Sequence, residues 1–423
     1  MNAIWVSRVL GEHALTAVVN SNIFMFMMMG VVMGIGMAAG VGIGQSIGAD
    51  DRSGIRKVVG TAIASVLAFA LLVAVAGWWM APIALDRMHV PDEAHDAAVT
   101  YLRLVCLSMP STFLFVLMMM LLRGTGDART PFRFSLLWIG LGLVLSPVLL
   151  TGAFGLPRLG IAGVALGGLL ANGIALLSLV AYLYRRRVLI TLRGADLRFL
   201  RPDLRIVKML TTRGSPMALE SFVVQGSYFV LLAMVNDYGA KTAAAYSAAA
   251  QLWNYVQMPS IAVASAMSAM SAMNIGAQRW DRVERIARRG CLLAVTLTGA
   301  TCLLLQLLGD WPLQLFLPQG GETLAKARGI NDIVLWGWVV QAITGGLCAI
   351  MRSNAAMLAP TLIYGITMWV VRVPFAKALE PSLGEAAIWW SFPMGTANSA
   401  LLAWAYYRWG GWRNKRLVGK PGG

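Results

Sequence analysis

The run YRRRVLITLRGADLRFLRPDLRIVKMLTTR, residues 184–213, carries Arg185, Arg186, Arg187, Arg193, Arg198, Arg201, Arg205, Lys208 and Arg213 between two long apolar regions. Lys and Arg in a short connection mark the cytoplasmic side of a membrane protein, because cationic segments are held back during insertion. Nine cations near the middle of 423 residues therefore orient everything on either side. Taken alone the run reads as a solvated, flexible linker, with contact to lipid headgroups as the other reading.

Composition agrees with a membrane setting. Apolar residues make up 58% of the chain and charged ones 13%, with a mean hydropathy of +0.68, outside the soluble globular range. The net charge of +16 falls loop by loop rather than over a soluble face, so nucleic acid is not a partner it calls for. Cys106, Cys291, Cys302 and Cys348 each fall within apolar runs without metal-ligand spacing, and read as buried small apolar residues.

Crossing about 30 Å of hydrocarbon takes about 20 apolar residues as a helix, since a helix satisfies its own backbone in lipid. That template fits eleven times, at 14–44, 58–85, 97–122, 131–152 and 159–184, then 209–236, 240–273, 285–309, 327–351, 359–379 and 383–408. The fold class is an all-α polytopic membrane protein. Counting Lys and Arg on alternate connections, with Arg352 taken as a loop cation, places 26 of 35 on one side, so the C-terminus is expected in the cytoplasm.

The two halves match each other. Gly11–Ala17 aligns with Gly239–Ala245 and Ile47-Gly48-Ala49 with Ile275-Gly276-Ala277, both at an offset of 228. Arg123 and Pro131 align with Arg352 and Pro360 at 229, and Leu159-Gly160 with Leu383-Gly384 at 224. Parallel six-helix halves follow, making two pseudo-symmetric bundles. The chain divides into an N-lobe over 1–184, a basic cytoplasmic linker over 185–208, a C-lobe over 209–408 and a basic tail over 409–423. The partner of the helix 209–236 would begin before Met1, so five helices face six and an N-terminal segment is expected upstream.

Catalytic signatures such as HExxH, GxSxG, a Walker A loop or a Rossmann fingerprint are absent, which argues against an enzyme. In the first helix, Gly30, Gly34, Gly36, Gly40, Gly44 and Gly48 suit close helix packing. The 24 methionines suit a cavity accepting many apolar shapes, or equally core filling. An ionisable group in hydrocarbon costs several kcal/mol, about 3 on insertion scales, and so faces a partner or a cavity. Glu220 is the acid well inside a span, about 10 Å past Arg213 at 1.5 Å per residue. Snorkelling to headgroup water is its alternative. Gln225 and Tyr228 on the same helix, and Gln251, Asn254 and Gln257 in one stripe on the next, are cavity-lining candidates, or else hydrogen-bond partners between helices.

These residues resemble the multidrug and toxic compound extrusion (MATE) family. The resemblance rests on Gly11–Ala17, Ile47-Gly48-Ala49, Leu122-Arg123-Gly124-Thr125-Gly126-Asp127 up to Pro131, Leu159-Gly160-Ile161-Ala162-Gly163, and Gly214-Ser215-Pro216 leading to Glu220. Val371-Arg372-Val373-Pro374 and Ile388-Trp389-Trp390-Ser391-Phe392-Pro393 extend it. It implies twelve helices in two lobes around a central cavity, the first helix lacking here, and secondary active multidrug efflux of lipophilic organic cations. The H+ or Na+ gradient would be the energy source, with no cofactor, and Na+ is a candidate ion at Glu220. A monomer among membrane lipids in a bacterial inner (plasma) membrane is expected. Asn2, Gly142 and Ser146 stand where many members carry acids or Asn, leaving the first-lobe proton site unsupported. Gln341 stands where some members have an acid, and joins the lining candidates by that resemblance.

A lipid-linked substrate flippase of the same superfamily is the runner-up, and would need several cations within the cavity. A membrane-embedded enzyme and an inert truncated product are the others. For the orientation, a fluorescent protein fused after Gly423 is expected to fluoresce and alkaline phosphatase fused there to be inactive; active phosphatase would reverse the assignment.

Overall fold

The computed structural model describes residues 25, 28–87, 92–152, 159–317 and 320–415. The expected motif Gly11–Ala17, Asn2, the start of the first span and the tail beyond Lys415 lie outside them. The chain is an all-α polytopic membrane protein. Its helices are α1 (Met28–Gly48), α2 (Arg52–Arg87), α3 (Asp92–Gly124), α4 (Arg129–Thr151) and α5 (Gly160–Arg186). There follow α6 (Leu204–Asp237), α7 (Ala240–Gly276), α8 (Trp280–Leu307), the single turn α9 (Trp311–Gln314) and α10 (Gly321–Ser353). The last are α11 (Leu358–Gly365), which runs through a π-helical stretch, Ile366–Arg372, into α12 (Val373–Leu383), and α13 (Ala386–Trp409).

Among the described residues, nine helical stretches are long and apolar enough to cross a bilayer. Two expected spans, α7 and α13, fall outside that group because Ser, Gln, Asn and the weakly hydropathic Trp and Tyr dilute their Ala and Leu. The most apolar windows of α4 and α8 are only 11% and 17% buried, so their Leu-rich faces meet lipid rather than protein.

Contacts divide the chain into two compact units, the first ending at Gly214 and the second taking Gly44–Asp50 with Ser215 onward. In the first, α2 packs on α3, and α5 on both α3 and α4, around Phe113, Leu117, Leu121, Leu122 and Leu179. The glycines of α1 allow close crossing: a Cβ on Gly34 would lie 2.3 Å from the Gly214 carbonyl, and one on Gly124 would lie 2.6 Å from the Gly40 carbonyl. In the second unit, a Cβ on Gly48 would lie 1.9 Å from the Met273 carbonyl. Here α10 is central, packing on α7, α8 and α13 around Tyr246, Trp253, Trp338, Trp389 and Phe392. Trp253 Nε1 donates to Asn331 Oδ1 at 2.9 Å, satisfying a buried N–H. Cys106, Cys302 and Cys348 are buried as expected, whereas Cys291 is only half-buried.

The basic linker departs from its reading as a solvated, flexible connection. Ile190 and Leu192 are buried, Tyr184 donates its hydroxyl to the Leu192 carbonyl at 2.8 Å, and the 3₁₀ helix Gly194–Leu200 packs on α2. Arg56 pairs with Asp196 at 3.0 Å, and Gly60 lies so close that a Cβ there would be 2.3 Å from the Phe199 carbonyl. The linker is also shorter than expected, because Asp203 Oδ1 accepts from Arg205 N at 2.9 Å and starts α6 at Leu204 rather than 209.

The exposed Arg56–Asp196 pair contributes under about 1 kcal/mol, so close packing at Gly60 is what holds the linker. Gly60→Val is expected to cost about 1–3 kcal/mol of that docking and to speed tryptic cleavage between Arg193 and Arg201 about tenfold. Unchanged cleavage in detergent would show that the linker is held elsewhere.

Candidate functional site

Pro216 has no N–H to give the helix, which loosens α6 one turn before Glu220. Counted from Leu204, where α6 begins, Glu220 lies about 24 Å along the helix, and it remains about 10 Å past Arg213. Facing it are the last turn of α10, with Arg352, and the first turns of α11, with Thr361 and Tyr364.

Arg352 Nη2 donates to Glu220 Oε1 at 2.6 Å, and each side chain is only 15% exposed. Thr361 Oγ1 donates to the Pro216 carbonyl at 2.8 Å and lies 3.5 Å from Glu220 Oε2. The guanidinium thus meets one carboxylate oxygen, and the Thr361 hydroxyl, itself bonded to the Pro216 carbonyl, stands beside the other. In a partly buried setting a pair about 4 Å apart gains about 4 kcal/mol. Desolvation offsets most of that, yet losing one partner costs about 3–5 kcal/mol because the other charge stays buried.

The reading of Arg352 as a loop cation is corrected: it is held inside the helix by a carboxylate from another helix. Gln341, Cys348 and Arg352, at spacings of seven and four, share one face of α10. That spacing is the sequence signal for its role.

Gln341 extends the polar path. Its Nε2 donates to Tyr364 Oη at 3.2 Å, and its Oε1 accepts from Ser399 Oγ on α13 at 3.2 Å. Ser399 and the buried Thr344 lie 3.0 Å apart, hydroxyl to hydroxyl. Polar groups from α6, α10, α11 and α13 are therefore continuous with one another or adjacent within this one unit.

The remaining sequence candidates are elsewhere. Gln225 is exposed, and Tyr228 is half-buried beneath the Arg372 guanidinium at 5.5 Å. On α7, Gln251 and Asn254 are exposed and Gln257 is half-buried, with Gln257 Nε2 donating to Asn254 Oδ1 at 3.3 Å. Among the described residues no hydrogen bond joins this row to Glu220.

Arg372 is not among the sequence-derived site residues, although an Arg within so apolar a run is itself the signal. It is 3% exposed at the end of the π-helical stretch. Its guanidinium lies 4.8 Å from the Phe392 ring and 5.5 Å from Tyr228, with Ser391 Oγ accepting from Nε at 3.4 Å. Two aromatic faces supply the electrostatic attraction that Glu220 supplies for Arg352.

The MatE family model matches residues 2–148 and 216–377. Among curated proteins, the chain is 31% identical over 415 residues to the probable multidrug resistance protein YoeA of Bacillus subtilis, covering 98% of this chain and 89% of that protein. It is 24% identical over 417 residues to the probable multidrug resistance protein YpnP of the same organism, covering 99% and 92%. Among solved structures, a MATE in the bent conformation superposes with a TM-score of 0.87 at 19% identity, over 96% of this chain and 89% of that one. An outward-facing MATE family transporter of the MOP superfamily gives 0.83 at 20% identity, over 96% and 90%.

The geometry of the pair sets an energetic expectation. Arg352→Gln and Glu220→Gln are each expected to destabilise the protein by about 3 kcal/mol, and the double variant by clearly less than the sum. Thermal unfolding in detergent followed by tryptophan fluorescence measures this, and additive losses would mean that the two side chains do not interact.

Proposed function

Because the chain belongs to the MatE family of transporters, we propose that it is a secondary active multidrug exporter, moving lipophilic organic cations outward in exchange for H+ or Na+. The observation that carries this reading is Glu220, a carboxylate about 10 Å past Arg213 in a membrane-crossing helix, with Thr361 Oγ1 3.5 Å from its Oε2. An acid in that position is costly and is retained where an ion or substrate passes. Together with the carboxylate, the Thr361 hydroxyl supplies hard oxygen of the kind that suits Na+.

The cargo class is supported by the relatives' names as multidrug resistance proteins. It also draws on α7, where exposed Gln251, Asn254 and Met258 share one face. Amides exposed on a helix of a membrane protein favour water over lipid, and Met adapts to varied apolar shapes. A bacterial inner membrane with the basic linker and tail in the cytoplasm fits the charge distribution. A flippase of anionic lipid would need several free cations, whereas Arg352 is neutralised by Glu220 and Arg372 lies over aromatic rings.

Energised cells expressing the protein are expected to expel ethidium, and to stop when the ion gradients are collapsed. At equal amounts of inserted protein, Glu220→Gln is expected to lose gradient-driven efflux and Glu220→Asp to keep part of it. Efflux surviving collapse of the gradients, or wild-type efflux from the Gln variant, would overturn this function.

A further inference from the structure

Any cation that binds Glu220 meets one already there. Arg352 Nη2 occupies Oε1 at 2.6 Å, and a guanidinium does not leave by losing its proton. We propose that Arg352 is a tethered competitor at this site: Glu220 holds either the guanidinium or the transported cation, and a cation enters only as Arg352 swings away. This rests on reading Glu220 as the coupling carboxylate, and makes Arg352 the positioning residue that sets its affinity.

Three features support an exchange rather than a permanent clamp. First, the pair is made at one Nη, while the buried Arg352 Nε has no hydrogen-bond partner, so the guanidinium is incompletely satisfied where it lies. Second, a buried acceptor, Asn354 Oδ1, stands without a donor two residues along, just past the end of α10. Third, Glu220 Oε2 faces Thr361 Oγ1 at 3.5 Å, so one hydroxyl oxygen stands beside the carboxylate before Arg352 leaves.

Exchange also has a consequence for coupling. With both cations present, one carboxylate would face two positive charges in a partly buried setting, which repel strongly. The site therefore admits one at a time. A movement of the end of α10 is tied to occupation by H+, Na+ or drug, which is what an exporter needs to link cargo to conformation.

The test uses the full chain purified in detergent, with equilibrium binding of tetraphenylphosphonium and, separately, of Na+. Arg352→Gln frees the carboxylate and is expected to bind both about tenfold or more tightly than the wild type. Glu220→Gln/Arg352→Gln is expected to bind both cations well below the wild type. Arg352→Lys keeps the charge on a shorter, single-point head and is expected to give a gain of about threefold, which tests the proposal if the Gln variant does not fold. Equal or weaker binding by Arg352→Gln, or unchanged binding by Arg352→Lys, overturns the competitor. If wild type and Arg352→Gln bind alike while the double variant does not bind, the competitor fails and Glu220 keeps its role. If the double variant binds as the wild type does, Glu220 is not the cation site and both readings fall.

Discussion

A charge inside a membrane-crossing bundle must be met by another charge, by oriented dipoles or by water, and the second unit of this protein is arranged around two solutions to that constraint. Glu220 and Arg352 meet each other at 2.6 Å from helices far apart in sequence. That contact fixes how the middle of α6 lies against the end of α10. Thr361 then bonds the Pro216 carbonyl, tying α11 to the loosened turn of α6. Gln341, Tyr364, Ser399 and Thr344 carry the polar contacts on toward α13.

Arg372 is met differently. A π-helical stretch between α11 and α12 widens the turn before it, and such stretches concentrate at functional positions because they leave main-chain bonds less regular. Trp369, inside the stretch, donates Nε1 to the Val223 carbonyl at 2.9 Å, so it is anchored to α6 just beyond Glu220. The guanidinium then lies over the rings of both Phe392 and Tyr228. One arginine is held by a carboxylate and the other by aromatic rings, and the proposed exchange concerns only the first.

Much of this is legible in the sequence, for physical reasons. Length and apolar content identify helices, because a backbone in lipid has few ways to satisfy its hydrogen bonds. The glycine spacing of α1 also identifies close packing, seen at Gly34 with Gly214. Glu220 stands out as an acid in an apolar run, and Gln341 through the family resemblance. What stays hidden depends on long-range pairing. Arg352 follows directly on the span expected over 327–351, so a linear reading places it in the next loop. In three dimensions it pairs with a residue 132 positions away.

The docking of the linker is hidden for a related reason. Its arginines correctly suggest exposure, but Ile190, Leu192 and Phe199 dock it, and a partner such as Gly60 cannot be read from local composition. The claim at the centre of this account is that Arg352 leaves Glu220 when a cation arrives. Nitrogen NMR of the Arg352 guanidinium, identified by loss of its signal in Arg352→Lys, reports that directly. The account requires the signal to move as Na+ or tetraphenylphosphonium saturates the protein; a signal that stays in place while the cation is demonstrably bound would contradict it.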